Sequence, residues 1–155
     1  MSVNQFTNYN NGQYLKNNGD GTATNLGVPF SSGCVTLSAG AKTIDTTMAN
    51  SLILITDQAG DVVYGLPIAS SCPGAVFKFM CAADIVNAVT LTPTTSHIWG
   101  VLINNTNDEA TIVVAKADDV NVKLKGACLI GDTVSLVSDG TKYYCSGSSS
   151  ANGLE

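Results

Sequence analysis

Three observations predict an all-β fold, a single antiparallel β-sandwich or jelly-roll-like domain carrying an extended N-terminal arm. Short β-type runs recur from Cys34 to Ser146 at the spacing of a sandwich or barrel. No segment sustains a 3.6-residue apolar period with caps. Thr133 to Ser146 reads as a hairpin closed by Asp139-Gly140. At 155 residues the chain can bury one good core and is too short for two ordinary domains.

Residues 1–33 differ in kind from the rest. They are rich in Asn and Gly (Asn8 to Gly12, Asn17 to Gly21), with Pro29 and Ser31-Ser-Gly33 ahead of the first strand run. Such a composition cannot bury enough apolar area to offset its ordering entropy alone, which predicts an arm. Phe6, Tyr9, Tyr14, Leu15 and Phe30 suit it to docking on another surface, such as a neighbouring subunit.

The strand runs then follow in order: 34–38, 41–47, 51–56, 61–65, 75–81, 86–92, 97–103, 110–115, 120–125, 133–138 and 141–146. Turn formers separate them at Ser38-Ala-Gly40, Asp57 to Gly60, Ser70 to Gly74 and Asn104 to Asp108. In 75–81 the alternation puts Phe77, Phe79 and Cys81 on one face and Lys78 on the other. Residues 82–88 could hold one helical turn. No tandem repeat of fixed period is visible. For the closing hairpin, a two-residue type I′ turn at Asp139-Gly140 pairs Ser138 with Thr141, Leu136 with Tyr143 and Val134 with Cys145. The domain is thereby bounded at 34–146. Residues 147–155 are expected to be a flexible Gly/Ser tail whose Leu154-Glu155 resembles a cloning-vector remnant.

Composition narrows the function. Charged residues are 12% and apolar residues 45%, which points to apolar surface buried between subunits. The net charge is −5, and the basic residues are all Lys. A phosphate-tracking surface wants clustered Lys and Arg, so nucleic acid is disfavoured as a partner. No apolar run approaches the ~18 residues of a membrane span; the densest is Leu52 to Ile55. The start lacks the basic and apolar regions of a secretory signal, which predicts a cytosol-like compartment. Cys34, Cys72, Cys81, Cys128 and Cys145 are odd in number and form no CxxC, so buried reduced thiols are expected.

Catalytic and metal chemistry find little support. His97 is the sole histidine, no GxSxG elbow is present, and His97 beside Ile98-Trp99 reads first as a hydrogen-bonded structural residue. Clustered Cys and His for zinc are lacking, and no cofactor is expected. Gly40-Ala-Lys42-Thr43 lacks the spacing of a phosphate loop. Asn18-Gly-Asp20-Gly21 fails as a calcium loop, because Lys16 and Gly27 fall at ligand positions. Asp57, Asp61, Asp84, Asp108, Glu109, Asp118, Asp119, Asp132 and Asp139 read as solvated turn residues. Asn104-Asn-Thr106 fits a glycosylation pattern but reads as a polar turn. The candidate ligand contacts are Trp99 and exposed tyrosines, as stacking platforms with Asn or Asp as hydroxyl partners, and His97.

Leu66-Pro-Ile-Ala-Ser70, Pro73 to Phe79, Asn87 to Pro93 and Asp132 to Tyr144 together resemble a β-rich module of fibre, spike and decoration proteins of double-stranded DNA viruses. The resemblance spans residues 50–146. It departs at Cys145 and at Lys142-Tyr-Tyr144, where that family often carries tryptophan. It implies a homotrimeric, non-enzymatic structural protein of the virion surface, made in host cytoplasm and attached through its N-terminal arm to a capsid or other virion protein. A carbohydrate-binding module for host glycans is the alternative, and a glycan-cleaving enzyme built on two carboxylates is the remaining one.

Overall fold

β-Branched and aromatic residues recur in most strands of the structure, a computed structural model that describes residues 15–17, 23–25, 33–37, 39–105 and 111–155. The strands are β1 (Leu15–Asn17), β2 (Ala23–Asn25), β3 (Cys34–Leu37), β4 (Lys42–Thr43), β5 (Leu52–Ile55), β6 (Val62–Leu66), β7 (Val76–Cys81), β8 (Val89–Pro93), β9 (Ile98–Asn105), β10 (Thr111–Asp119), β11 (Val122–Leu124), β12 (Thr133–Ser138) and β13 (Tyr143–Ser149). Helix among the described residues is confined to 3₁₀ turns at Thr46–Met48 and Ala69–Ser71. The fold is all-β, as expected.

The helical turn expected at 82–88 does not form. Its backbone donors are taken by distant acceptors: Ile85 N donates to Cys128 O, Val86 N to Asp57 Oδ1, and Ala88 N to Asp61 Oδ1. With those donors committed, no i→i−4 ladder can close.

The sheets are mixed, which corrects the antiparallel expectation. A seven-stranded sheet runs β10-β9-β13-β12-β7-β5-β3 and a four-stranded sheet β11-β8-β6-β4. From β3 to β8 the chain alternates between them, so β3, β5 and β7 are parallel neighbours in one sheet and β4, β6 and β8 in the other. A parallel pair cannot be closed by a tight turn, and here each connection carries a strand of the opposite sheet. Pairing offsets vary from Cys34↔Leu52 to Leu52↔Lys78, which explains why no fixed repeat is visible. The β12–β13 hairpin then fills the gap between β7 and β9. β12 lies antiparallel to β7, and β13 parallel to β9.

The inward residues of both sheets form one hydrophobic cluster. Ile53, Ile55, Phe77, Phe79, Val134, Leu136 and Tyr143 come from the larger sheet; Tyr64, Leu66, Val89, Leu91, Val122 and Leu124 come from the smaller. Full burial of each such side chain contributes about 1.5–3 kcal/mol. Phe77, Phe79 and Cys81 face inward, with Lys78 outward, as the alternation predicts.

The hairpin register differs from the sequence expectation by one pleat repeat. Leu136 faces Cys145 and Ser138 faces Tyr143, with residues 139–142 in the turn. Asp139 N donates to Lys142 O, and only Gly140 takes positive φ there, at 91°. The wider turn is favoured because Asp139 Oδ1 accepts from Thr141 N at 2.7 Å and Lys142 N at 2.8 Å, leaving neither free for a two-residue turn. The shift moves by a full side-chain period, so each residue keeps its face.

The expected flexible tail is also corrected. β13 runs on to Ser149, and Leu154 is 1% exposed. Lys123 and Glu155 exchange backbone hydrogen bonds, Lys125 N donates to Gly153 O, and Asn104 Nδ2 donates to Leu154 O while Leu154 N donates to Asn104 Oδ1. These contacts order the segment. Within the arm, β1 and β2 pair with each other in antiparallel fashion and with neither large sheet, a pairing its composition did not announce. Phe6, Tyr9, Tyr14 and Phe30 lie outside the described residues.

Two buried tyrosines give a direct test of the core. Tyr143 OH donates to Pro67 O at 2.9 Å and lies 3.3 Å from Cys72 Sγ, whereas Tyr64 OH is buried with no partner. Tyr64→Phe should therefore stabilise the fold by about 1 kcal/mol, and Tyr143→Phe should cost about 1–2 kcal/mol, by denaturant titration. Burial raises the pKa of both hydroxyls. Stability is therefore fully present below the unfolded-state value near ~10 and falls as pH rises above it, and Tyr64→Phe should lessen that alkaline loss. A loss of stability in Tyr64→Phe would contradict this account.

Candidate functional site

Alternation along seven paired strands creates an outward face whose rows can be read from the register. One row runs Thr36, Leu54, Met80, Thr133, Ser148, Ile103, Val113; the next runs Cys34, Leu52, Lys78, Ser135, Ser146, Val101, Ala115. A third row holds Val76, Val137, Tyr144 and Trp99. Two aliphatic flanks thus border a central stripe of hydroxyls from β12 and β13. Lys78 is the charged residue in these rows. Trp99 is 37% exposed, Tyr144 44% and Val113 60%.

At one corner the face becomes aromatic. Trp99 and Tyr144 stand side by side on the parallel strands β9 and β13, and Lys142 Nζ lies 5.1 Å from the Trp99 ring centroid and 5.6 Å from that of Tyr144. A cation so placed is attracted to both ring quadrupoles. Lys142 is held there by the turn, where its N–H and that of Thr141 donate to Asp139. These bonds, with a further one from the Tyr144 hydroxyl, keep the Asp139 carboxyl below the ordinary carboxylate range. The arrangement joins a flat apolar platform to a cation and an anion, chemistry suited to stacking and polar contacts. Sequence reasoning singled out Trp99 and named exposed tyrosines and Asp only in general; it did not place Tyr144 or Asp139 beside Trp99 and missed Lys142, because the parallel β9–β13 pairing joins segments remote in the chain.

His97 is not part of that corner. It precedes β9, and its Nδ1 lies 3.1 Å from both Asp118 O and Asp118 Oδ1. Both partners are acceptors, so Nδ1 carries the proton. Asp118 sits at φ 67° where the β9–β10 register slips between Lys116 and Asp119. The pair pins a bulge.

The other carboxylates serve as loop ties. Asp57 accepts from Val86 N, Asp61 from Ala88 N, Asp84 from Ile130 N, and Asp45 caps the 3₁₀ turn at Thr47 N. Asp132, expected to be a solvated turn residue, is buried instead. Its Oδ2 accepts from Leu129 N and Ser149 Oγ at 2.9 and 2.6 Å, and its Oδ1 accepts from Ser150 N and Ser150 Oγ at 2.8 and 2.9 Å. Four donors satisfy the carboxylate without a cation. Asn104, expected in a polar turn, is a buried β9 residue that grips the Leu154 backbone. Asp108 and Glu109 lie outside the described residues.

All five cysteines are unpaired, and Cys72, Cys81, Cys128 and Cys145 are buried; Cys34 is exposed, contrary to expectation, because it opens an edge strand. A hydrogen bond with Cys128, reinforced by burial, raises the Cys81 thiol pKa far above its ordinary value, and Cys128 Sγ donates to Gly153 O at 3.0 Å. The Cys81 thiol is thus inert. An open pocket of about 310 Å³ lies among Asn50, Ser51, Leu52, Val76 and Lys78. No cluster of His, Cys, Asp and Glu among the described residues could hold a metal.

No family model matches the chain, and neither a curated protein nor a solved structure matches it significantly.

Trp99 is the sole tryptophan, so its emission reports this corner alone. Because the Asp139 pKa is depressed, the turn it holds is intact above the unfolded-state value near ~3.9 and loosens as pH falls through the folded-state value. Trp99 emission should change in that acid range as Lys142 is released, and Asp139→Ala should show the acid spectrum at neutral pH. A flat profile with an unchanged variant would contradict the coupling.

Proposed function

We propose that this chain is a non-enzymatic structural protein, a small homotrimeric capsid-surface, fibre-head or decoration component of a virus. In this reading it assembles in host cytoplasm, acts in the virion, and attaches to a capsid or other virion protein through its arm, residues 1–33. Its finer architecture is a two-layer β-sandwich of mixed sheets. The observation that carries the reading is the use of the polar side chains: Asp45, Asp57, Asp61, Asp84, Asp132 and Asp139 each accept a backbone N–H and fix a loop. A chain whose carboxylates are spent on rigidity is suited to scaffolding. Glycan cleavage would instead call for two carboxyls facing each other across a cleft at roughly 5–9.5 Å. The viral and trimeric parts of the proposal rest on the sequence resemblance.

The Trp99–Tyr144 platform with Lys142 and Asp139 favours a second reading, a surface that holds host glycans by stacking.

Light scattering on the intact chain should give three times the 16.0 kDa protomer mass, unchanged by chelator. A single-chain mass would overturn the trimeric assignment, and mass loss on chelation would reveal a metal-dependent assembly.

A further inference from the structure

Residues 153–155 lie along the outer edge of β11 in the manner of a bound peptide. Lys123 and Glu155 exchange backbone hydrogen bonds at 2.7 and 2.9 Å, Lys125 N donates to Gly153 O at 2.7 Å, and Leu154 bridges Leu124. β11 is a three-residue edge strand whose other side pairs with β8. From the seven-stranded sheet, the Asn104 amide reads the same backbone: Nδ2 donates to Leu154 O and Oδ1 accepts from Leu154 N, both at 2.8 Å. Asn104 is fully buried, so an empty groove would leave two buried polar atoms without these bonds. Any extended backbone laid in the same place removes that cost.

Side chains add selectivity. Leu154 is buried in the core cluster where Gly147 leaves room for it, since a Cβ on Gly147 would stand 3.2 Å from Leu154 Cδ1. The position before the leucine calls for glycine, because a Cβ on Gly153 would stand 2.6 Å from Cys128 Sγ and 2.7 Å from Ser149 Oγ. Asn152 and Glu155 are exposed, so the flanking positions are not specified.

We infer that the groove between β11 and Asn104 is a peptide-recognition site for an extended segment containing Gly-Leu, and that residues 153–155 occupy it as a resident plug. Backbone pairing at a sheet edge supplies affinity, and the leucine pocket selects the segment. Because the plug is tethered, its effective concentration is on the order of mM, and a partner segment enters when the plug is out. The inference goes beyond the structural reading above and does not depend on it.

The test follows the anisotropy of a fluorescein-labelled synthetic peptide of residues 150–155 added to the full chain. Gly153→Ala should evict the plug through its clash with Cys128 while leaving the groove intact, and Leu154→Ala should weaken the plug by removing its anchor. Each variant, with its strand signal by circular dichroism unchanged, should bind the peptide saturably and at least ~10-fold more tightly than the intact chain does. A peptide with Ala in place of the leucine, or of the glycine, should bind at least ~10-fold more weakly. Folded variants that bind no peptide, or that bind all three peptides alike, would overturn the proposal. Equal binding to the intact chain would place the peptide elsewhere and overturn it too. If both variants lose the strand signal, residues 153–155 are an integral part of the fold and not a ligand, and the proposal falls on that result as well.

Discussion

The seven-stranded sheet is continuous because the β12–β13 hairpin occupies the space between β7 and β9, and everything on its outer face follows from that insertion. Close approach is built in by glycine. A Cβ on Gly100 would stand 2.0 Å from Cys145 O, and one on Gly147 would stand 2.7 Å from Thr133 O. Gly100 also adopts φ 144°, a conformation L side chains rarely take. Both ends of the hairpin are fixed by aspartate, Asp132 at the base through Ser149 and Ser150 and Asp139 at the tip through Thr141 and Lys142. Register is thereby determined twice, by backbone geometry and by buried hydrogen bonds.

The C-terminal segment performs a second joining. Leu154 bridges to Leu124 in the four-stranded sheet, while its backbone is held by Asn104 of β9 in the seven-stranded one. Gly153 accepts the Cys128 thiol and is packed so closely that a Cβ would lie 2.6 Å from Cys128 Sγ. A few residues beyond β13 thus tie both sheets at one end, through buried polar contacts that are costly to leave unmade.

Local pattern was legible; long-range pairing was not. The alternation of Val76 to Cys81 fixed its inward face, and the runs at 51–56, 61–65 and 133–138 correspond closely to β5, β6 and β12. Parallel neighbours leave no turn signature in sequence, so the antiparallel expectation failed at β3–β5–β7 and at β9–β13. Asp139-Gly140 announced a turn, but the second acceptor role of the Asp139 carboxylate lengthened it. Asp132, Asn104 and Leu154 looked like turn and tail residues because their burial depends on partners from distant segments. Trp99 stood out as a large aromatic, whereas its neighbours Tyr144 and Lys142 depend on the β9–β13 register.

Native-state hydrogen exchange measures the hairpin's role most directly. If β12–β13 is the element that unites the sheet, the amides of β7, β12 and β13 exchange last and together, at the free energy of global unfolding, while β9–β10 opens no later than they do. Early exchange of β13, with β9 and β10 still protected, would contradict it.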